Sequence, residues 1–113
     1  YQKTELLSLA TITAMDQFGS NYTNAPTYKK SIEKIMMDLD ILTERVPDEH
    51  RWRLLLSHLY IRRAGLEMDV NHLDKAEKII ALLLESVPDR KIFSQSLKAT
   101  KELRNMILRV AKK

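Results

Sequence analysis

The 113-residue chain contains no cysteine. That absence excludes disulfides and thiolate-held metals. It fits a reducing compartment, and the expected location is intracellular, either cytoplasmic or nuclear. Glycine occurs twice and proline three times, whereas loops that cradle phosphates or store catalytic strain draw more heavily on glycine. No apolar run approaches the roughly 18 residues of a membrane span, and no signal peptide is visible. The first residue is Tyr1 rather than methionine, so the chain reads as a domain or processed piece of a longer one. A sequon at Asn21-Tyr22-Thr23 is short enough to arise by chance and is expected to be inert.

What is present is helical pattern. Residues 4–18 carry Leu6, Leu7, Ala10, Ala14 and Phe18 along one side and stop at Gly19, a natural helix end. Residues 19–27 are dense in turn formers and read as a loop. Residues 28–46 place Tyr28, Ile32, Ile35, Leu39, Leu42 and Val46 on one stripe, with Thr27 as the expected cap. A third helix over 48–68 would bury Trp52, Leu55, Leu56, Leu59 and Leu66. A fourth over 72–87, capped by Asn71, is apolar around most of its circumference and is therefore expected at the centre of the fold. A fifth over 89–110 would bury Ile92, Phe93, Leu97, Leu103, Met106, Ile107 and Val110. No segment alternates as a strand does. The expected fold is all-α, a single domain over 1–113 of about five helices in antiparallel hairpins.

Two helix breaks match. Ile41-Leu42-Thr43-Glu44-Arg45-Val46-Pro47-Asp48 aligns with Leu82-Leu83-Leu84-Glu85-Ser86-Val87-Pro88-Asp89 at an offset of 41, and the same offset pairs Leu39 with Ile80, Trp52 with Phe93, Leu56 with Leu97 and Arg63 with Arg104. Helix pairs at such a period are the mark of helical-repeat proteins, and the candidate units are 28–69 and 70–111. The stretch His72–Asp89 resembles the second helix of a tetratricopeptide repeat: Ala76 stands at the small position, Ile80 one turn on, and Pro88 at the terminating proline. Trp52, Leu55 and Leu59 resemble first-helix residues of that pattern. The spacing from Trp52 to Ala76 exceeds a standard 34-residue repeat, and Leu56 and Ile35 stand where small residues are usual. The resemblance implies a right-handed array, or small bundle, that binds other proteins, and it carries no catalytic residue across.

Chemistry-bearing patterns are scarce. His50 and His58 are eight residues apart, not at the i, i+4 spacing of a helical metal site. Asp69, Asn71 and Asp74 have the look of a calcium loop, but its sixth and twelfth positions hold Asp74 and Ile80 rather than Gly and Glu. Glu44, Asp48 and Glu49 are better explained by solvation and the helix dipole than by acid–base work. No nucleophile elbow or nucleotide fingerprint occurs. The expectation is a protein that is not an enzyme and needs no cofactor or metal.

The net charge of +4 conceals an asymmetry. From Arg90 onward eight basic residues face one acid, Glu102, for +7, while the first 89 residues carry 11 basic and 14 acidic for −3. The leading expectation is an adaptor that offers a groove between helices to a protein partner, with Trp52, Leu55, Leu59 and Tyr60 as candidates for its wall and core packing as the stronger expectation for Trp52. The alternative is a nucleic-acid-binding domain with a basic patch of Arg62, Arg63, Lys98, Lys101, Arg104 and Arg109. A third expectation is self-association through the last helix.

Overall fold

The computed structural model describes residues 2–112. The fold is all-α. Among the described residues it comprises α1 (Gln2–Phe18), α2 (Ser20–Thr23), α3 (Tyr28–Arg45), α4 (His50–Glu67), α5 (Asn71–Ser86) and α6 (Lys91–Ala111). The segment read as a loop thus contains a one-turn helix. None of the helices among the described residues is long and apolar enough to cross a membrane.

The two Val-Pro-Asp breaks are geometric twins. Val46 (φ −131, ψ 75) and Val87 (φ −139, ψ 77) leave the helix in the same conformation. Each donates its N–H to the carbonyl four residues back, Leu42 and Leu83 respectively. Proline forbids helical geometry in the residue before it, which explains both exits. At the offset of 41, buried Ile32, Leu39, Leu42 and Trp52 correspond to buried Leu73, Ile80, Leu83 and Phe93. Leu56 and Leu97 differ: the first is buried and the second half-buried.

Caps depart from the sequence reading in two places. Thr27 occupies the cap position of α3, but its side chain makes no cap hydrogen bond. Asn71 is the first residue of α5, and its N–H is taken by Asp69 Oδ1 at 3.0 Å. Gly19 ends α1 at φ +53 as its position predicts. Met68 ends α4 in the left-handed region at φ 55, where a side chain is strained.

The helices point in two directions. Glu5 of α1 pairs with Arg51 of α4 at 3.4 Å, and Asp16 with Arg62 at 2.8 Å. Both pairs join residues 46 apart, so α1 and α4 run parallel. The short breaks turn α3 and α5 antiparallel to α4. The N-terminal ends of α4 and α6 share one depression, and Gly65 meets Leu103 further along both helices, so α6 runs with α4. The result is a row of α1, α4 and α6, with α3 packed against α1 and α4, and α5 against α4 and α6.

The centre is α4, not the helix expected there. It packs closely against every other helix, whereas among the described residues the backbone of α5 comes close only to α4 and α6. Leu82 of α5 is 48% exposed, so its extra apolar residues do not all find neighbours. Trp52, Leu56 and Leu59 join Met15, Tyr28, Ile32, Met36, Leu39 and Leu42 in the larger core cluster. Each fully buried aliphatic side chain there contributes about 1.5–3 kcal/mol. The charged Arg63 is also buried on α4, which disguises the helix in the sequence.

Helix α1 packs on a different face from the one expected, turned by about 100° around the helix axis. Ser8, Thr11 and Met15 are buried, while Leu6, Leu7 and Phe18 are 60%, 47% and 54% exposed. The Ser8 and Thr11 hydroxyls donate to the carbonyls of Thr4 and Leu7 at 2.7 Å, so their burial leaves no unsatisfied group. On α6 only Phe93 and Ile107 of the expected stripe are buried; Ile92, Met106 and Val110 are exposed.

Candidate interaction groove

The residues expected to wall a groove lie in the core or against it. Trp52 and Leu59 are core residues, and Leu55 and Tyr60 are half-buried against the same cluster. Tyr60 stacks at 6.2 Å on His72 and lies beneath Lys75.

The groove lies on the other side of α4. Among the described residues no Cα of α1 comes within 8 Å of one in α6. Leu54, His58, Ile61 and Gly65 recur every three to four residues, so they share one side of α4 between those two helices. All four are half-buried. Towards the C-terminal end of this stripe a depression of about 260 Å³ is lined by Ile61, Arg62, Gly65 and Leu66 with Met15, Asp16 and Leu103. Gly65 keeps the floor low: a methyl group there would meet only Leu103, at 3.8 Å. Exposed Leu9 on α1 and Met106 on α6 add apolar surface on the two flanking helices. Towards the N-terminal end a second depression of about 240 Å³ is lined by Leu54, Val87, Phe93, Arg90 and the polar residues 48–51. His50 Nδ1 is buried there without a hydrogen-bond partner.

One charged pair borders the C-terminal depression. Arg62 donates from Nε and Nη2 to the two Asp16 oxygens at 2.8 and 3.1 Å. Its Nη1 lies 3.3 Å from His58 Nδ1. A guanidinium only donates, so this Nδ1 must accept, which fixes a neutral imidazole with its proton on Nε2. Burial pushes the His58 pKa below its ordinary value, and the Arg62 charge adds to the fall against the opposing pull of Asp16.

The basic patch expected from sequence separates into two halves. Arg62 is held by Asp16, Arg63 by Glu67 at 2.8 Å, and Arg104 by Asp74 and Glu77 at 2.8 and 3.0 Å. Lys98, Lys101 and Arg109 are exposed and have no carboxylate within ion-pair distance among the described residues. Three of six cations are therefore neutralised, by acids that lie far away in sequence or one turn along. The remaining histidine, His72, contacts Glu67 Oε1 at 3.3 Å. Among the described residues no three acidic or histidine side chains are placed to hold a metal ion.

The sequence matches no protein-family model, no curated protein and no solved structure.

Proposed function

We propose that this protein is a non-catalytic interaction module that receives a segment of a protein partner in the groove along α4. The observation that carries this reading is the separation of α1 from α6, which leaves Ile61, Gly65 and Leu103 lining a depression. A partner helix or extended segment would place apolar side chains on that floor. Arg62 and Asp16 stand at its edge as a fixed donor–acceptor pair.

The matched breaks at 46–48 and 87–89 support reading α3–α4 and α5–α6 as two units of a tetratricopeptide-like array. In that reading α1 is the second helix of a preceding unit, since it runs parallel to α4 and packs beside it. The polar clusters favour a structural over a catalytic role, because Glu67, Arg63, Tyr28 and His72 satisfy one another. Nucleic-acid binding through α6 draws less support, with Arg62, Arg63 and Arg104 already paired.

The test is affinity purification with the wild-type chain and Gly65→Phe, with Gly65→Ala as the folding control. Partners retained by wild type are then titrated as purified proteins. Saturable binding to wild type and Gly65→Ala, weakened at least about tenfold by Gly65→Phe, is the expected result. Equal binding by the filled variant would remove the groove from the mechanism.

A further inference from the structure

A different surface carries a second inference, independent of the α4 groove. The last two helices leave a depression on their outer side, lined by Leu84 of α5 and by Ser94, Leu97, Lys98, Lys101, Glu102 and Asn105 of α6. Its volume is about 370 Å³. Leu84 and Leu97 are half-buried and form an apolar floor, and Lys98 and Lys101 stand exposed beside it. Along the same side of α6, Leu97, Lys101, Leu108 and Lys112 follow one another at helical spacing, with Leu108 43% exposed. From Leu97 to Lys112 the stripe is about 22 Å long at 1.5 Å per residue.

The charges on this side are mainly basic, with Glu102 the one acid in the lining beside Lys98 and Lys101. Arg104 is the only cation of α6 that the described residues neutralise, through Asp74 and Glu77. Lys98, Lys101 and Lys112 have no carboxylate within ion-pair distance among the described residues, and the single acid of α6 is Glu102.

We propose that this outer face of α5 and α6 docks an acidic amphipathic helix of another protein. Apolar side chains one turn apart would cover Leu84, Leu97 and Leu108, and carboxylates along their edge would meet Lys98, Lys101 and Lys112. The interleaving of leucine with lysine selects this occupant. A phosphate backbone would satisfy the lysines and leave the leucines wet. Single-strand binders stack bases on aromatic rings, and Phe93, the one aromatic of α6, is buried. The basic group on α4 cannot widen the footprint, because Arg62 and Arg63 are paired.

The test uses three probes. One is an 18-residue synthetic helix-forming peptide with leucines one turn apart and glutamates along both edges, with its glutamine analogue as control. The others are duplex RNA and vesicles of phosphatidylserine and phosphatidylcholine. Fluorescence anisotropy should give saturable binding of the glutamate peptide, weakened by salt, and none of the glutamine analogue. The double variant Lys98→Glu/Lys101→Glu should weaken it at least about tenfold, since it replaces attraction with repulsion at the rim. Leu108→Ser should weaken it as well. The matched reversal Lys29→Glu/Lys30→Glu on exposed α3 positions should leave binding within about twofold. Equal loss in that control would reduce the effect to net charge and overturn the proposal. Preference for RNA or vesicles over the peptide, or failure of the peptide to bind, would also overturn it. Gly65→Phe should not affect this binding, which separates the result from that of the α4 groove.

Discussion

The Tyr28 hydroxyl donates to Glu67 Oε2 at 2.6 Å, joining the first residue of α3 to the last of α4 across 39 residues of sequence. The same oxygen accepts from Arg63 Nε at 2.8 Å, and His72 of α5 reaches the other. One carboxylate therefore ties three helices together. Removing the phenol with Tyr28→Phe should cost about 1.5–3 kcal/mol, the range for a hydrogen bond to a charged group, measured by urea unfolding.

Glu67 also sets an acid limit. Burial pushes its pKa up, but hydrogen bonds from Arg63, Tyr28 and His72, with the Arg63 charge, outweigh it and hold the group at about 2, against an ordinary 4.5. A carboxylate depressed in the folded state contributes stability that is complete above about 4.5 and lost as pH falls towards 2. Unfolding free energy should decline through that window. Glu67→Gln should lower stability at neutral pH and flatten the decline. An unchanged slope would show that other carboxylates, such as Asp16 beside Arg62, dominate.

His58 gives a second, higher window. Its folded-state pKa lies below the ordinary 6.5, so the folded protein binds this proton more weakly than the unfolded chain. Stability is complete above pH 6.5 and falls as pH drops below it, levelling once the folded imidazole is itself protonated. His58→Gln should remove that step and leave the Glu67 window in place. Thermal melts from about pH 7.5 down to about 2 would separate the two.

Glycine is absent where α4 ends and present in its interior. Gly65 lies inside the helix with room for a methyl group, and Met68 holds the left-handed cap at φ 55. Gly65→Ala should stabilise by up to about 1 kcal/mol. Met68→Gly should stabilise by about 1 kcal/mol, through relief of the left-handed strain. Calorimetric melting temperatures would check both, and a drop in either would contradict the geometry.

The orientation of α1 is open to a direct comparison. Leu7 is 47% exposed and Leu39 is fully buried. Leu7→Gln should change stability by no more than about 0.5 kcal/mol, as surface replacements do. Leu39→Ala should cost about 2–5 kcal/mol. A comparable cost at Leu7 would restore the packing face that periodicity alone suggests.

These particulars mark what the sequence makes legible. The α3–α4 and α5–α6 breaks could be read because proline acts on its immediate neighbour, with no tertiary help. The register of α1 could not, since Leu6, Leu7, Leu9, Ile12, Met15 and Phe18 surround the helix and leave no unique stripe. Its face is selected by Glu5 meeting Arg51 and Asp16 meeting Arg62, pairs that exist only once α4 is beside it. The central place of α4 was hidden for a related reason. Arg63 is polar in sequence and buried in the fold, with Glu67 as its local counter-charge. Of the candidate wall, the burial of Trp52 and Leu59 was readable from the α4 stripe, but not which side of α4 stays open. Of the basic patch, the charges were readable but not the distant acids, Asp16, Asp74 and Glu77, that cancel Arg62 and Arg104.

Because α4 touches all the other helices, the molecule does not unzip from its ends as extended repeat proteins can. Opening α4 removes a packing neighbour from every other element at once, so unfolding should be all-or-none, with coincident transitions by different probes. Its interior amides should exchange with solvent only through the global transition, with the same free energy as denaturant unfolding. The outer turns of α1 and α6 should exchange by local fraying. The chain then behaves, in its cooperativity, like a bundle with a single keystone.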